Sequence, residues 1–269
     1  MGYLFLAVPP FAGSTVLYKH IIKCEAVRTL NAGDYNCWGE PLNEDIEGDR
    51  VIYREGHYNM AGKFPVIQTP GYYKDVFDAP ENYDWSLIKK LWDDNWDTSP
   101  KSNSTIRVQK TPNDVYRLKI MHPYFDDLKW IISVRNPYAY GESLIEKLLN
   151  FRRDPVEHVD KILYHITNTY EIQKENQEFL GNNAYSMTYE DFVHNSKKHE
   201  DGIKNFMPEL HDLNFDSNVI VKNQEYDKLY DNNDERIEKL KNIPGAIDRF
   251  NEHFYKHREI INYWGYELI

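Results

Sequence analysis

An apolar run near the start of the chain constrains the fold more than any other feature of the sequence. Residues Tyr3 to Val8 are all apolar, and they lead into a loop rich in proline, glycine and serine. A half-exposed strand would carry a polar residue at every second position, so this run is typical of a strand buried on both faces of a parallel sheet. A helix from about Ser14 to Ala26 is expected to follow. The sequence therefore predicts an α/β protein.

Later segments extend the predicted sheet. Thr105 to Gln109 and Trp130 to Val134 have the pattern of strands, and the intervening helix from Pro112 to about Phe125 completes a βαβ unit. A further strand is predicted from Ala184 to Thr188, after a long stretch with apolar residues at helical spacing. The C-terminal third is expected to form two helices that are broken near Pro244.

The composition is that of a globular protein. Of the 269 residues, 41% are hydrophobic and 28% are charged, which excludes a disordered chain. No internal repeat or low-complexity linker divides the chain, so residues 1–269 are predicted to form a single domain. The net charge of -11 argues against a general binder of nucleic acid or anionic membranes.

The first apolar run is too short for a membrane span, and no basic segment of a signal peptide precedes it. We therefore expect a cytoplasmic protein without membrane insertion. The sequence gives no indication of the oligomeric state.

Two sequence patterns that resemble functional sites are predicted to have structural roles instead. His253 and His257 lie four residues apart but lack the glutamate of the H-E-x-x-H zinc motif, so an ordinary half-buried or solvated pair is expected and no metal site is predicted. Trp85, Trp92 and Trp96 share one face of a predicted helix, which favours core packing. Cys24 and Cys37, which lack metal-ligand spacing, are expected to be reduced and buried.

The loop after the first strand has the residues of an anion site. Gly13 would let the backbone approach an anion, while Ser14 and Thr15 add hydroxyl donors to the free N–H groups of a helix start. The lysine of the G-x-x-x-x-G-K-[ST] loop is absent, and neither later strand ends in an aspartate that could hold Mg²⁺. An ordinary strand-to-helix connection is the alternative interpretation.

A second candidate lies after the predicted strand Trp130 to Val134. Arg135 follows this strand directly, and Ser143 comes eight residues later. An arginine at the carboxyl end of a buried strand can clamp an anion with two parallel hydrogen bonds where α/β folds bind ligands. The alternative is a salt bridge to a helix carboxylate.

Together, the segments Pro9 to Leu17 and Val134 to Ser143 resemble the sulfotransferases that use 3′-phosphoadenosine 5′-phosphosulfate (PAPS). Four shorter segments agree with that family and occur in its order: Gly39 to Pro41, Lys110 to Pro112, Met187 to Phe192 and Trp264 to Glu267. The resemblance implies a three-layer fold in which helices flank a central parallel sheet, similar to the P-loop-containing nucleoside triphosphate hydrolases. It also implies PAPS as co-substrate and a hydroxyl-bearing acceptor. No metal is expected, because no carboxylate stands where a Mg²⁺ ligand would be required.

The resemblance assigns roles to individual residues. The 5′-phosphosulfate is expected to contact the first loop, at Ala12, Gly13, Ser14 and Thr15. Arg135 and Ser143 are expected to bind the 3′-phosphate.

Catalytic roles also follow from the resemblance. Glu40 is the expected general base for the acceptor hydroxyl, with His57 in reserve. The family usually has lysine or arginine where this chain has Phe11, and that cation stabilises the bridging oxygen as the sulfuryl group leaves. Lys110 is the nearest candidate to supply the missing charge.

Two alternative functions stay open from the sequence. One is a kinase or nucleoside triphosphatase, and the other is a nucleotide-binding sulfotransferase relative that has lost transfer. The acceptor could be a carbohydrate, a small alcohol or a tyrosine. Between Asp75 and Asp97, seven acidic residues stand against two lysines, and this stretch would repel a polyanionic glycan if it lined the cleft.

Overall fold

The computed structural model describes residues 2–29, 44–47, 50–53, 85–97, 104–110, 112, 114–150, 159–221, 224–226 and 230–269. The strands in these ranges are β1 (Gly2–Ala7), β2 (Val27–Thr29), β3 (Glu44–Glu47), β4 (Arg50–Tyr53), β5 (Ile106–Lys110), β6 (Leu128–Val134), β7 (Ala184–Thr188), β8 (Val219–Val221) and β9 (Gln224–Tyr226). A five-stranded sheet has the order β2-β5-β1-β6-β7, and every pairing within it is parallel. β3 pairs with β4 and β8 with β9 in two antiparallel hairpins.

Helices connect the strands and complete the C-terminal part of the chain. In the described ranges the α-helices are α1 (Ser14–Ile21), α2 (Trp85–Asp97), α3 (Asp114–Met121), α4 (Pro137–Asn150), α5 (Val159–Leu180), α6 (Tyr189–His194), α7 (Ser196–Phe206), α8 (Asn233–Lys241), α9 (Ala246–Lys256) and α10 (Arg258–Tyr263). None of them combines the length and hydropathy that a membrane span needs.

The sheet is covered on both faces, as the uninterrupted apolar run of β1 predicts. Leu4 and Leu6 pack into one hydrophobic cluster with Leu17 of α1. Tyr3 and Phe5, which alternate with them, pack into a different cluster with residues of α2 and α3. Because successive side chains of a strand point to opposite faces, the two clusters lie on opposite sides of the sheet. The predicted three-layer α/β architecture is therefore confirmed.

The tryptophan stripe is part of the core, as predicted. Trp85, Trp92 and Trp96 are all buried. The rings of Trp92 and Trp96 pack against the Phe5 ring, and the centroid of each lies 6.1 Å from the Phe5 centroid. Cys24 is buried, also as predicted. Cys37 lies outside the described residues.

The two C-terminal histidines form a half-buried pair. The rings of His253 and His257 stack with their centroids 4.7 Å apart, and Thr167 Oγ1 lies 3.3 Å from His253 Nε2. Burial, with the nearby His257, lowers the pKa of His253 to about 4. Among the described residues, no group of three or more His, Cys, Asp or Glu side chains is placed to hold a metal ion.

Several predicted boundaries are wrong, each for a local reason. The first helix ends at Ile21 rather than Ala26, because the chain turns there to form the short strand β2 beside β5. The third helix ends at Met121, and Pro123 follows in a single 3₁₀ turn, since proline lacks the N–H that an α-helix would use.

Among the described residues, the segment from Asn233 to Tyr263 has three helices where two were predicted. The expected break occurs at Gly245, whose φ of 71° precedes α9. A further break at His257 divides α9 from α10.

The strand order brings the carboxyl ends of β5, β1 and β6 together on one side of the sheet. β1 lies between β5 and β6, and the chain leaves β1 toward β2 on one side but later crosses to β6 on the other. Ligands of α/β folds bind at such switch points, beyond the carboxyl ends of the strands. Lys110 ends β5 and pairs in register with Leu6, while Arg135 directly follows β6. The loop that follows β1 therefore has a cation on each side.

Candidate anion-binding site

The loop between β1 and α1, from Val8 to Gly13 and named the β1 loop below, has an unusual backbone. Phe11 and Gly13 both have positive φ angles, 61° and 77°. The Ala12 N–H donates to the Pro9 carbonyl at 3.3 Å, and the Leu17 N–H donates to the Gly13 carbonyl at 3.1 Å. The loop thus ends in the first turn of α1, where backbone N–H groups lack partners within the helix and favour an anion.

Gly13 is required by its neighbours as well as by its φ angle. A Cβ atom at this position would lie 2.9 Å and 3.0 Å from two ring carbons of Tyr189, and the shorter distance is one that real Cβ atoms essentially never show. The ring of Tyr189 in turn lies over the Arg135 guanidinium, and its centroid is 4.7 Å from Arg135 Cζ. Loop, ring and guanidinium form one packed unit.

We expect Gly13→Ala to destabilise the protein more than Gly245→Ala. Both glycines precede a helix with φ near 70°, but a Cβ added at Gly245 would have no atom within 4 Å. The backbone strain of about 1–2 kcal/mol is common to both changes, and the Tyr189 contact adds to it at Gly13 alone. Chemical denaturation of the two variants measures the difference, and equal losses of stability would contradict this packing.

Lys110 directs a charge at the same loop from the end of β5. Its side chain is 1% exposed, and the Nζ ammonium donates to Thr15 Oγ1 at 3.4 Å. A buried ammonium is costly unless polar or anionic groups surround it. The start of α1 is therefore approached by a cation whose charge water screens little.

Arg135 reaches the loop from the other side. Its Nη1 donates to the Phe11 carbonyl at 2.7 Å, its Nε donates to Asn233 Oδ1 at 2.8 Å, and its Nη2 donates to Asn232 Oδ1. The side chain is 4% exposed. The guanidinium therefore joins the β1 loop to the start of α8.

The charge of Arg135 is not cancelled by a direct ion pair with any residue that the structure describes. Its acceptors there are neutral carbonyl and amide oxygens, so the salt bridge considered from the sequence is absent from these ranges. Burial lowers the pKa of Arg135, and the neighbouring Glu190 carboxylate acts in the opposite direction. An arginine stays protonated under such shifts.

Ser143 is also buried, on α4. Its hydroxyl donates to the Ala139 carbonyl at 2.9 Å, one turn earlier in the same helix. The adjacent Glu142 accepts from Arg236 of α8 at 2.8 Å. The hydroxyl would have to turn away from Ala139 before donating to a phosphate.

The structure brings together part of the predicted site. Lys110 contacts Thr15 and Arg135 contacts the β1 loop, while Ala12 is buried in that loop and Ser14 is buried at the start of α1. The two residues assigned to the base role, Glu40 and His57, lie outside the described residues, and their assignments stay predictions.

Phe11 contributes its backbone to this site. Its ring packs against the hydrophobic cluster that contains Val134 and Phe250, whereas its carbonyl accepts from Arg135.

Sequence reasoning missed the two asparagines that contact Arg135, because Asn232 and Asn233 carry no motif and lie far along the chain. Glu190 lies within a family-like segment, and that segment was the one signal that could have pointed to it.

Comparisons with known proteins identify the fold. No protein-family model matches the sequence, and no curated protein matches it. Solved structures do match: the sulfotransferase STF9 from Mycobacterium avium has a TM-score of 0.59 at 13% identity, over 99% of this chain and 77% of that one. The sulfotransferase domain from the curacin biosynthetic pathway has a TM-score of 0.57 at 15% identity, over 100% and 99%.

A third match leads to the same fold. The sulfotransferase STF1 from Mycobacterium tuberculosis H37Rv has a TM-score of 0.56 at 10% identity, over 95% of this chain and 76% of that one. The chain therefore has the fold of bacterial sulfotransferases, as the motifs in its sequence predict.

Proposed function

We propose that the protein is a sulfotransferase that moves a sulfuryl group from PAPS to a hydroxyl acceptor. The observation that carries the proposal is that Arg135 contacts the β1 loop while Lys110 contacts the start of α1, which directly follows it. A fold shared with sulfotransferases gives this site its context, since the fold alone does not define a reaction.

The chemistry of the site suits a nucleotide that carries two separate anionic groups. Backbone N–H groups at the start of α1 and the Thr15 hydroxyl would hold the 5′-phosphosulfate, while Arg135 and Ser143 would hold the 3′-phosphate. Arg135 is nearly enclosed by protein, so a phosphate reaches it only when a neighbouring group such as the Asn232 side chain moves aside.

Transfer would proceed in line. The acceptor oxygen forms a bond to sulfur as the bond from sulfur to the bridging oxygen breaks. Glu40 takes the proton of the acceptor hydroxyl, and the Lys110 ammonium stabilises the negative charge that grows on the bridging oxygen. Positioning and charge stabilisation then supply the rate enhancement.

Glu40→Gln keeps the shape of the side chain and removes its basicity. We expect turnover to fall by about 10² or more while nucleotide affinity stays nearly constant. Steady-state transfer rates and calorimetric titrations on the same preparation separate the two quantities. A fully active Glu40→Gln with an inactive His57→Ala would transfer the base role to His57.

The nucleotide itself distinguishes this proposal from a kinase or nucleoside triphosphatase. Calorimetric titration should show tighter binding of adenosine 3′,5′-bisphosphate than of ATP, with no requirement for Mg²⁺. Labelled PAPS offered with a carbohydrate, a small alcohol and a tyrosine peptide then tests transfer and identifies the acceptor class. Preferential binding of ATP with Mg²⁺, together with loss of activity in EDTA, would overturn the proposal.

A further inference from the structure

Among the described residues, three hydrogen-bond donors contact the carboxylate of Glu190 behind the proposed nucleotide site. Glu190 is the second residue of α6, at the end of the strand next to β6. Its Oε1 accepts from the Asn136 backbone N–H at 2.8 Å and from the Asn233 side-chain amide. Its Oε2 accepts from the Tyr266 hydroxyl at 2.6 Å. These donors come from the turn after β6, from α8 and from the C-terminal segment.

Two of these contacts converge on Arg135. The peptide between Arg135 and Asn136 is held at both ends, because Glu190 accepts from its N–H and the Tyr170 hydroxyl donates to its carbonyl. Asn233 donates its amide to Glu190 and offers its oxygen to Arg135 Nε at 2.8 Å. The carboxylate thus fixes which way the Asn233 amide faces, and with it the acceptor that orients the guanidinium.

The C-terminal segment braces this arrangement. Tyr266 and Tyr170 are buried, and burial raises the pKa of each phenol well above its usual value, so both remain protonated donors. Trp264 Nε1 donates to the Tyr170 carbonyl at 3.1 Å. Residues near the end of the chain therefore hold both groups that fix the Arg135 peptide.

We propose that Glu190, held by Tyr266, is the positioning residue for Arg135, so that recognition of a 3′-phosphate depends on a carboxylate that acts through the arginine. The inference rests on the proposed function and deepens it. A negative charge so close to an anion site would weaken binding if it faced the anion. Here the carboxylate accepts hydrogen bonds from these three donors, and it lies beside the peptide between Arg135 and Asn136.

The test compares adenosine 3′,5′-bisphosphate with adenosine 5′-phosphate, which lacks only the 3′-phosphate. Calorimetry gives the ratio of their dissociation constants for the parent, Glu190→Gln and Tyr266→Phe. We expect Glu190→Gln to reduce the preference for the bisphosphate by about tenfold, since a neutral amide holds the donors less strongly. Tyr266→Phe should reduce it less, and binding of the monophosphate should change by no more than about threefold in either variant.

Two matched variants serve as controls. Asp191→Asn makes the same charge change at the next residue, whose carboxylate instead contacts Lys198 and His199. Tyr263→Phe removes a hydroxyl from the same C-terminal region, where it donates to Gln177. Both should keep the parental preference for the bisphosphate.

The outcomes separate the two proposals. An unchanged preference in Glu190→Gln and Tyr266→Phe, or an equal weakening of both nucleotides, would overturn the positioning role. A parent that does not prefer the bisphosphate would overturn the proposed function, and this inference with it. Tyr266→Phe removes a single hydroxyl, so it provides the test if Glu190→Gln does not fold.

Discussion

Lys110→Met is expected to lower sulfuryl transfer by about 10²–10³ and to weaken nucleotide binding by at most about tenfold. Methionine keeps an apolar stem in a position that is 1% exposed, and it removes the ammonium that approaches the start of α1. The charge contributes more as the bridging oxygen becomes negative than it does before reaction. Labelled-sulfate transfer and nucleotide titration, measured side by side, give the two effects.

Lys129→Met is the matched control. Lys129 lies near the opposite end of the parallel sheet, on β6, where its Nζ donates to the Phe206 carbonyl. We expect this variant to transfer sulfate at the parental rate. A fully active Lys110→Met protein would refute the role of Lys110.

Phe11→Lys gives an independent check on the same charge. If Lys110 already supplies it, a lysine at position 11 should bring little gain. A large gain, with Lys110→Met unchanged, would favour a relative whose transfer activity has decayed.

Arg135→Met is expected to weaken adenosine 3′,5′-bisphosphate binding by about 10² or more, which corresponds to about 2.7 kcal/mol. The change removes a buried cation and its fork of donors, whereas Arg135→Lys keeps the charge and should lose less. Ser143→Ala should have a smaller effect, because it removes one neutral hydroxyl. Calorimetry on the parent and the three variants measures these differences.

Arg107→Met controls for loss of an arginine as such. Arg107 lies near the start of β5 and is ion-paired with Asp93 at 2.7 Å. Nucleotide affinity of the Arg107→Met variant should equal that of the parent. Unchanged affinity in both Arg135→Met and Ser143→Ala would contradict the proposed 3′-phosphate site.

The centre of the sheet could be predicted because β1 and β6 are largely apolar. β1 and β6 are buried on both faces, and such runs have few alternatives in a chain of this size. β2 was missed because three residues, Val27, Arg28 and Thr29, show no measurable periodicity, and only pairing with β5 makes them a strand.

The site was predictable to the extent that its residues follow strands. Lys110 and Arg135 lie at the ends of the two strands that flank β1, and the sheet order brings them to the same loop. The acceptors that orient Arg135 come from positions about 100 residues away, and no local pattern links Asn233 to a strand end. The connection through Glu190 and Tyr266 is visible only in three dimensions.

Transfer of label from ³⁵S-labelled PAPS to a hydroxyl acceptor tests the central claim most directly. The parent protein, without added metal and in the presence of EDTA, should produce labelled acceptor and adenosine 3′,5′-bisphosphate in equal amounts, and Lys110→Met should produce little of either. A parent that binds the bisphosphate tightly yet labels no carbohydrate, alcohol or tyrosine acceptor would contradict the account.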